Sequence, residues 1–245
     1  MGEGYVLAQL RGPERARYVT RMFARISRRY DLVNTVMSGG RHYAWRRMAV
    51  RMAMEGLSGP ALDVAAGTGD FAFELARSPD VSSVIGLDFT RPMLEIAQRK
   101  GEQKKVSDRV SFSVGDAHAL PFPDDSFACA TVGFGIRNFI DLPASLREIT
   151  RVVQPGGRVV SLEIFRHDGR GPLGRLVPLH FRYVTPWLGS LLAGDREAYT
   201  YLPESVDEFL APDALTTAME AAGLTAVRYK SLAMGAVAIH VGVKQ

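Results

Sequence analysis

Asp63, the turn Gly67-Thr68-Gly69 and Asp88 are spaced as chemistry would require. The run 61–70, ALDVAAGTGD, is apolar apart from one acid, ends in a glycine turn and leads into a helically spaced segment, 70–77. That order reads as strand, tight turn and helix start. Gly67 and Gly69 suit such a turn because positive φ is sterically cheap at glycine and no Cβ keeps a ligand off the backbone. A second apolar run, 84–87, ends in Asp88, where a carboxylate can accept from both hydroxyls of a ribose. Together these features predict a nucleoside-containing cofactor.

Asp63 separates the two cofactors that fit. Gly67-x-Gly69-x-x-Ala72 also matches a dinucleotide fingerprint, so an NAD-dependent oxidoreductase is a rival, and glycine pairs also mark ordinary turns. An acid in the strand entering the turn repels a pyrophosphate but favours an ammonium and a sulfonium, which points to S-adenosyl-L-methionine. On this reading the loop N–H groups meet the methionine carboxylate and Asp63 favours the positive end. A third acid, Asp116, follows the run 110–114, where it can accept from an adenine amino group; a turn or helix cap is its plainer role.

The elements that must position these groups alternate. Strands are predicted at 61–65, 84–87, 110–114, 127–132 and 158–164, and helices at 71–76, 92–105 and 144–153, the last stopped by Pro155-Gly156-Gly157. Such alternation requires a parallel sheet with right-handed crossovers, hence an α/β fold. After a helix at 214–222, runs 226–232 and 236–243 meet at Met234-Gly235 so closely that they must be antiparallel. Ahead of the core, a helical arm, 13–54, reads as two amphipathic helices hinged at Ser38-Gly39-Gly40, with Met22, Phe23, Ile26 and Tyr30 and then Trp45, Met48 and Met52 at helical spacing. An addition of this kind is expected to cover the cleft at the strand ends, with plain packing as the alternative. From 165 to 210 the rhythm breaks, with Pro172, Pro178, Pro186, Pro203 and His180, and a substrate-covering insert is expected. The whole chain, 1–245, is read as one domain: arm, cofactor-binding core (61–164), insert (165–210) and closing helix and hairpin (211–245).

At 245 residues and 47% hydrophobic, the chain can bury the core of one such domain. Its single cysteine, Cys129, lies in an apolar run, excludes an intramolecular disulfide and suits a reducing cytoplasm. No run has the length of a membrane span, and the start lacks the order of a signal peptide, so a cytoplasmic location is expected. Between residues 11 and 51 the chain carries eleven arginines against two acids, Glu14 and Asp31. Such a bias suits phospholipid headgroups or nucleic acid, or is simply a solvated helix face; no RNA-binding signature supports nucleic acid. The five histidines show no metal-ligand spacing, so no metal is expected, and His42 and His240 read as structural before acid–base groups.

RYDLVN (29–34), DVAAGTGD (63–70), GLDFTRPML (86–94), GDAHALPFPDDSF (115–127), GFGIRN (133–138), PGGRVVSLE (155–163) and YTYLPES (199–205) occur in one order. In this the chain resembles the ubiquinone/menaquinone biosynthesis C-methyltransferases from Met22 to Lys244. The resemblance implies the class I SAM-dependent methyltransferase fold, a seven-stranded, mostly parallel Rossmann-like sheet with an antiparallel C-terminal hairpin. It also implies methylation of a ring carbon of a lipophilic polyprenyl quinol, a naphthoquinol (demethylmenaquinol to menaquinol) in preference to the benzoquinol of ubiquinone synthesis. The cofactor positions it implies are Thr68, Asp88, Asp116 and Ala117; Gly133 stands at a commonly polar position, and Ala66-Gly67 replaces the usual glycine pair.

Methyl transfer to carbon is an in-line displacement at a sulfonium, and it needs alignment and an electron-rich carbon. Arg137, in GFGIRN, is the candidate cation that favours an ionised quinol, with an ion pair to Asp116 or Glu163 as the alternative. Tyr30 is the candidate hydroxyl that orients the quinol or a water, with packing beside Ile26 as the alternative. A lipid substrate makes the basic arm a candidate for peripheral contact with the inner face of the cell membrane.

Overall fold

The computed structural model describes residue 10 and residues 12–167 and 195–245. The arm comprises α1 (Gly12–Ile26), α2 (Tyr30–Ser38) and α3 (Arg41–Met54). It contains three helices where two are predicted, because a 3₁₀ turn, Ser27–Arg29, separates α1 from α2. Ser27 Oγ donates to the Ala24 carbonyl at 2.9 Å, a local bond of the kind that competes with the helical ladder. The hinge between α2 and α3 rests on Gly39 and Gly40, at φ 57° and 73°.

The core follows as β1 (Gly59–Val64), α4 (Asp70–Ala76), β2 (Val81–Asp88), α5 (Arg91–Lys104), β3 (Val110–Val114), β4 (Phe127–Gly133), α6 (Leu142–Val152) and β5 (Val153–Ile164). It closes with α7 (Arg196–Glu208), α8 (Pro212–Ala221), β6 (Leu224–Leu232) and β7 (Val237–Lys244). The seven strands form one sheet in the order β3-β2-β1-β4-β5-β7-β6. β7 runs antiparallel to β5 and β6, and the remaining pairs are parallel. Chain order reverses between β1 and β4, which opens a crevice at their carboxyl ends.

β1 and β4 read as nearly unbroken apolar runs because both faces are covered. Ala61 and Cys129 point into a layer with Ala49 and Ala53 of α3 and Phe71 and Leu75 of α4. Leu62 and Ala130 point the other way, onto Leu146 and Ile149 of α6 and Leu215 and Met219 of α8.

Two further expectations are corrected. Pro155-Gly156-Gly157 does not separate helix from strand: β5 begins at Val153, and the register shift against β4 makes the triplet a bulge. Gly157 fits there because a Cβ would meet the Ala128 carbonyl oxygen at 2.6 Å. The stretch from 165 to 210 holds a helix, α7, despite Pro203 inside it; Asp195 caps it by accepting from the Ala198 amide. Buried Ala198, Tyr199 and Tyr201 of α7 pack on Val19, Met22 and Ile26 of α1. Pro172, Pro178, Pro186 and His180 of the expected insert lie outside the described residues.

Candidate active site

The glycine turn joins β1 to α4 at the mouth of the crevice. Ala66 N donates to the Leu87 carbonyl at 3.0 Å, and Gly69 N donates to the Ala66 carbonyl at 2.9 Å. Gly67 has φ 55°, and a Cβ there would meet nothing within 4 Å. Gly69 has φ 84°, and a Cβ would strike the Phe112 and Phe73 rings at 2.8 and 2.9 Å. Gly67 therefore leaves room beside the crevice, whereas Gly69 is required both by its positive φ and by the Phe112 and Phe73 rings packed against it.

Three cavities share walls and form one trough. The outermost, about 810 Å³, lies between α1 and the ends of β2 and β3 and is lined by Asp88, Asp116, Ala117 and Phe139. It meets a second, about 440 Å³, at Asp88 and Phe139; Gly67, Gly133 and Tyr30 line that one as well. Gly67, Gly133 and Tyr30 also line the third, about 300 Å³, where Asp63, Thr68 and Arg46 complete the wall. A further, mostly apolar cavity, open to solvent, adjoins the trough at Tyr30, Phe134 and Arg46. Its walls include Met22, Phe23, Trp45, Tyr199 and Val237.

Along the trough, Asp88 is buried and accepts from the Gly67 amide at 2.9 Å and the Thr90 amide at 2.7 Å. Burial raises its pKa, against the opposing pull of the Gly67 and Thr90 amides and the Thr90 side chain. Asp63 Oδ1 accepts from Thr131 Oγ1 at 3.0 Å, while the buried Oδ2 has no partner among the described residues. Burial pushes the Asp63 carboxyl up to about 7. Asp116 is exposed and accepts from the His118 amide at 2.9 Å and its ring Nδ1 at 2.5 Å; partial burial opposes ionisation, but the His118 contacts outweigh it and lower the pKa. Ala117 beside it is buried. Gly133 has no room for a side chain, because a Cβ would meet the Phe71 ring at 2.6 Å.

Thr68 turns its hydroxyl to the arm. Its Oγ1 donates to Asp31 Oδ1 of α2 at 2.5 Å, and Lys100 Nζ bridges Asp31 Oδ2 and Asp70 Oδ1 at 2.7 Å each. The arm is thereby tied to the loop.

Arg137 makes the ion pair with Glu163, at 2.7 Å, not with Asp116. Its guanidinium also donates to the Phe134 carbonyl at 2.6 Å and to Ser205 Oγ at 3.3 Å. Both charges are buried, and Arg137 still forms part of the apolar cavity wall. Tyr30 stands where trough and apolar cavity meet, and burial raises the pKa of its hydroxyl.

Arg46 was not singled out by spacing, yet it is buried and lines both the inner trough and the apolar cavity. His42, four residues earlier on the same face of α3, contacts Arg46 Nη1 through Nδ1 and lies 3.2 Å from Thr35 Oγ1 through Nε2. Burial and the Arg46 charge push its pKa down to about 4, so the imidazole is neutral. An i, i+4 pair of this kind on an amphipathic helix looks like any polar face; only the path of α3 over the crevice reveals it. Among the described residues, no three His, Cys, Asp or Glu side chains cluster as metal ligands.

The chain matches the ubiE/COQ5 methyltransferase family over residues 12–244. It belongs to that family. It is 47% identical to a demethylmenaquinone methyltransferase of Thermus thermophilus, across 90% of this chain and 99% of that protein. It is 36% identical to a ubiquinone/menaquinone biosynthesis C-methyltransferase UbiE of Dinoroseobacter shibae, across 96% of this chain and 94% of that one. Among solved structures, a SAM-dependent methyltransferase of Thermotoga maritima, described as a possible histamine N-methyltransferase, superposes with a TM-score of 0.64 at 20% identity. That match covers 92% of this chain and 99% of that one, and it speaks for the fold. Family and fold together make the chain a SAM-dependent methyltransferase. The trough suits that donor: Asp63 Oδ2, buried and unpartnered, presents an acceptor where an ammonium can sit.

Proposed function

We propose that the chain methylates a ring carbon of a demethylated polyprenyl quinol, a naphthoquinol in preference to a benzoquinol. The observation that carries this reading is the junction at Tyr30 and Phe134, where the polar trough opens into an apolar cavity large enough for a fused aromatic ring. The names of three relatives that are 42–47% identical favour the naphthoquinol. Bound in the trough, S-adenosyl-L-methionine supplies an electrophilic methyl group. Asp88 accepts from the ribose hydroxyls, Asp116 and Ala117 border the adenine, Gly67 leaves space beside the sulfur, Gly133 lines the same wall, and Asp63 faces the positive end. Thr68 acts by holding Asp31 of the covering arm.

The acceptor carbon becomes nucleophilic when the quinol hydroxyl ionises. With a pKa near that of tyrosine, about 10, roughly one molecule in a thousand is ionised at neutral pH. A neighbouring cation lowers that pKa by about 1–3 units. Arg137 supplies a fixed guanidinium on the apolar side, and the Tyr30 hydroxyl at the junction orients the ring oxygen. Burial opposes ionisation of Tyr30, which keeps it a hydrogen-bond donor at neutral pH.

A polyprenyl tail keeps the substrate at a bilayer, and the arm presents a surface suited to it. No described helix is long and apolar enough to cross a membrane. Leu32 and Val36, four apart on α2, are 52% and 43% exposed, and Arg17, Arg21 and Arg28 are exposed nearby in sequence. Arg25 is committed to Asp195 and Glu197 at 2.8 Å each and is not part of that surface. The test is incubation with isotope-labelled S-adenosyl-L-methionine and each demethylated quinol in vesicles, followed by mass spectrometry of the ring. Label on the naphthoquinol carbon, faster with anionic than with zwitterionic vesicles, is expected. Label on neither quinol would overturn the assignment, and indifference to lipid charge would overturn the membrane contact.

A further inference from the structure

The innermost cavity of the trough poses a problem of charge. The amino-acid end of S-adenosyl-L-methionine carries an ammonium and a carboxylate, and the cavity must receive both. Asp63 provides for the first. The loop amides were the expected partners of the second, but Gly67 N is engaged by Asp88 Oδ2 and Gly69 N by the Ala66 carbonyl. A donor carboxylate placed against these two amides would have to displace existing bonds. A buried carboxylate left without a donor is costly.

One cation lines this cavity: among its described wall residues, Arg46 alone is positively charged. Arg46 is 5% exposed, and its Nε is buried without a partner among the described residues. Asp63 Oδ2 is the complementary case, a buried acceptor without a donor in the same wall. The two do not satisfy each other, although the pair is close enough for the Arg46 charge to favour ionised Asp63. An unmatched buried donor and an unmatched buried acceptor around one small cavity are what a zwitterion would complete.

His42 fixes the guanidinium in place. Thr35 Oγ1 gives its own proton to the Asp31 carbonyl at 2.8 Å, so it accepts from His42 Nε2–H. Nδ1 is then the free lone pair that accepts from Arg46 Nη1. On its other sides Arg46 lies 4.0 Å from Asp70 Oδ2, and its guanidinium carbon lies 5.4 Å from the centre of the Phe134 ring.

We infer that Arg46, held by His42, binds the carboxylate of the donor's amino-acid end while Asp63 binds its ammonium. The arm is thus part of the donor site, because α3 supplies half of the recognition of the amino acid. The inference rests on the SAM-dependent reading and adds to it a residue and a ligand group.

The test compares S-adenosyl-L-methionine with decarboxylated S-adenosyl-L-methionine, which keeps adenosine, sulfonium and ammonium, by calorimetry on the full chain. Loss of a charge-assisted bond predicts that Arg46→Met weakens the carboxylate-bearing ligand about 10- to 100-fold and leaves the decarboxylated one within about twofold. His42→Gln, acting only through Arg46, should show the same selectivity with a smaller loss. An equal loss for both ligands would mean that Arg46 merely supports the fold, and no loss for either would mean that it does not touch the donor; both results overturn the inference. Should Arg46→Met fail to fold, Arg46→Lys carries the comparison, with a smaller loss confined to the carboxylate-bearing ligand expected and equal losses contradicting it. Failure of the unaltered chain to bind either ligand would instead overturn the donor reading itself.

Discussion

The trough and the apolar cavity next to it are built in different ways. The polar groups of the trough stand mostly on strand ends and the turns that follow them, and backbone amides hold key side chains, as when Gly67 N and Thr90 N grip Asp88. The apolar cavity draws its walls from α1, α2, α3, the end of β5, α7 and the turn before β7. Helix packing and one buried ion pair, Arg137 to Glu163, hold those walls together. A sheet fixes strand ends relative to one another through ladder hydrogen bonds, so the sheet side of the trough is rigid by construction. The cavity keeps its shape only while separate helices stay docked, which suits the long-tailed substrate proposed for it.

Breaking the ion pair should separate the two regions most sharply. Arg137→Ala strands a buried Glu163 carboxylate, and removing one partner of a buried pair costs about 3–5 kcal/mol. Thermal unfolding should show that loss. The double variant Arg137→Met/Glu163→Leu removes both charges and should recover most of the stability. If Arg137 acts on the substrate, the double variant still loses turnover by about 10- to 1000-fold, the range set by a pKa shift of about 1–3 units, while its affinity for S-adenosyl-L-methionine stays within a few-fold. Turnover that returns with stability would show that the pair serves only the fold.

Asp88 is the corresponding cut in the trough. Asp88→Ala removes the acceptor proposed for the ribose and frees the amides of Gly67 and Thr90, so the loop loses its anchor as well. Calorimetry should find donor affinity weakened by about 100-fold, in keeping with the loss of two charge-assisted hydrogen bonds. Binding of a small naphthol in the apolar cavity should be unaffected. Unchanged donor affinity would remove Asp88 from the site.

These contrasts explain what the sequence disclosed. Asp63, the glycine turn and Asp88 are legible because strand periodicity and short turns fix their relative places within a few dozen residues. The tie from Thr68 to Asp31 crosses 37 positions and leaves no periodic trace. Helix α7 escaped notice because Pro203 reads as a breaker, although it stands in the interior of the folded helix. Pro155-Gly156-Gly157 misled in the same way: the residues that stop a helix also make a strand bulge. His42 and Arg46 look like an ordinary helix face until α3 is laid across the crevice.

The smallest expected effect concerns the inner trough and carries a sign. Burial holds Asp63 at about 7, so near pH 6 the carboxyl is largely protonated in the donor-free chain. Its unfolded pKa is near 4, and the stability it contributes is therefore present at low pH and lost as pH rises through 7. A bound ammonium reverses the preference, because it stabilises the carboxylate and expels the proton. Affinity for S-adenosylhomocysteine, which carries the same amino-acid end, should rise by about tenfold or more from pH 5 to 7, while the ligand-free chain loses stability over that range. At pH 6, calorimetry in buffers of different ionisation enthalpy should register close to one proton released on binding, and none for Asp63→Asn. Affinity that is flat with pH and independent of buffer would mean that Asp63 does not meet the ammonium, and the trough would then owe its selectivity to the arm.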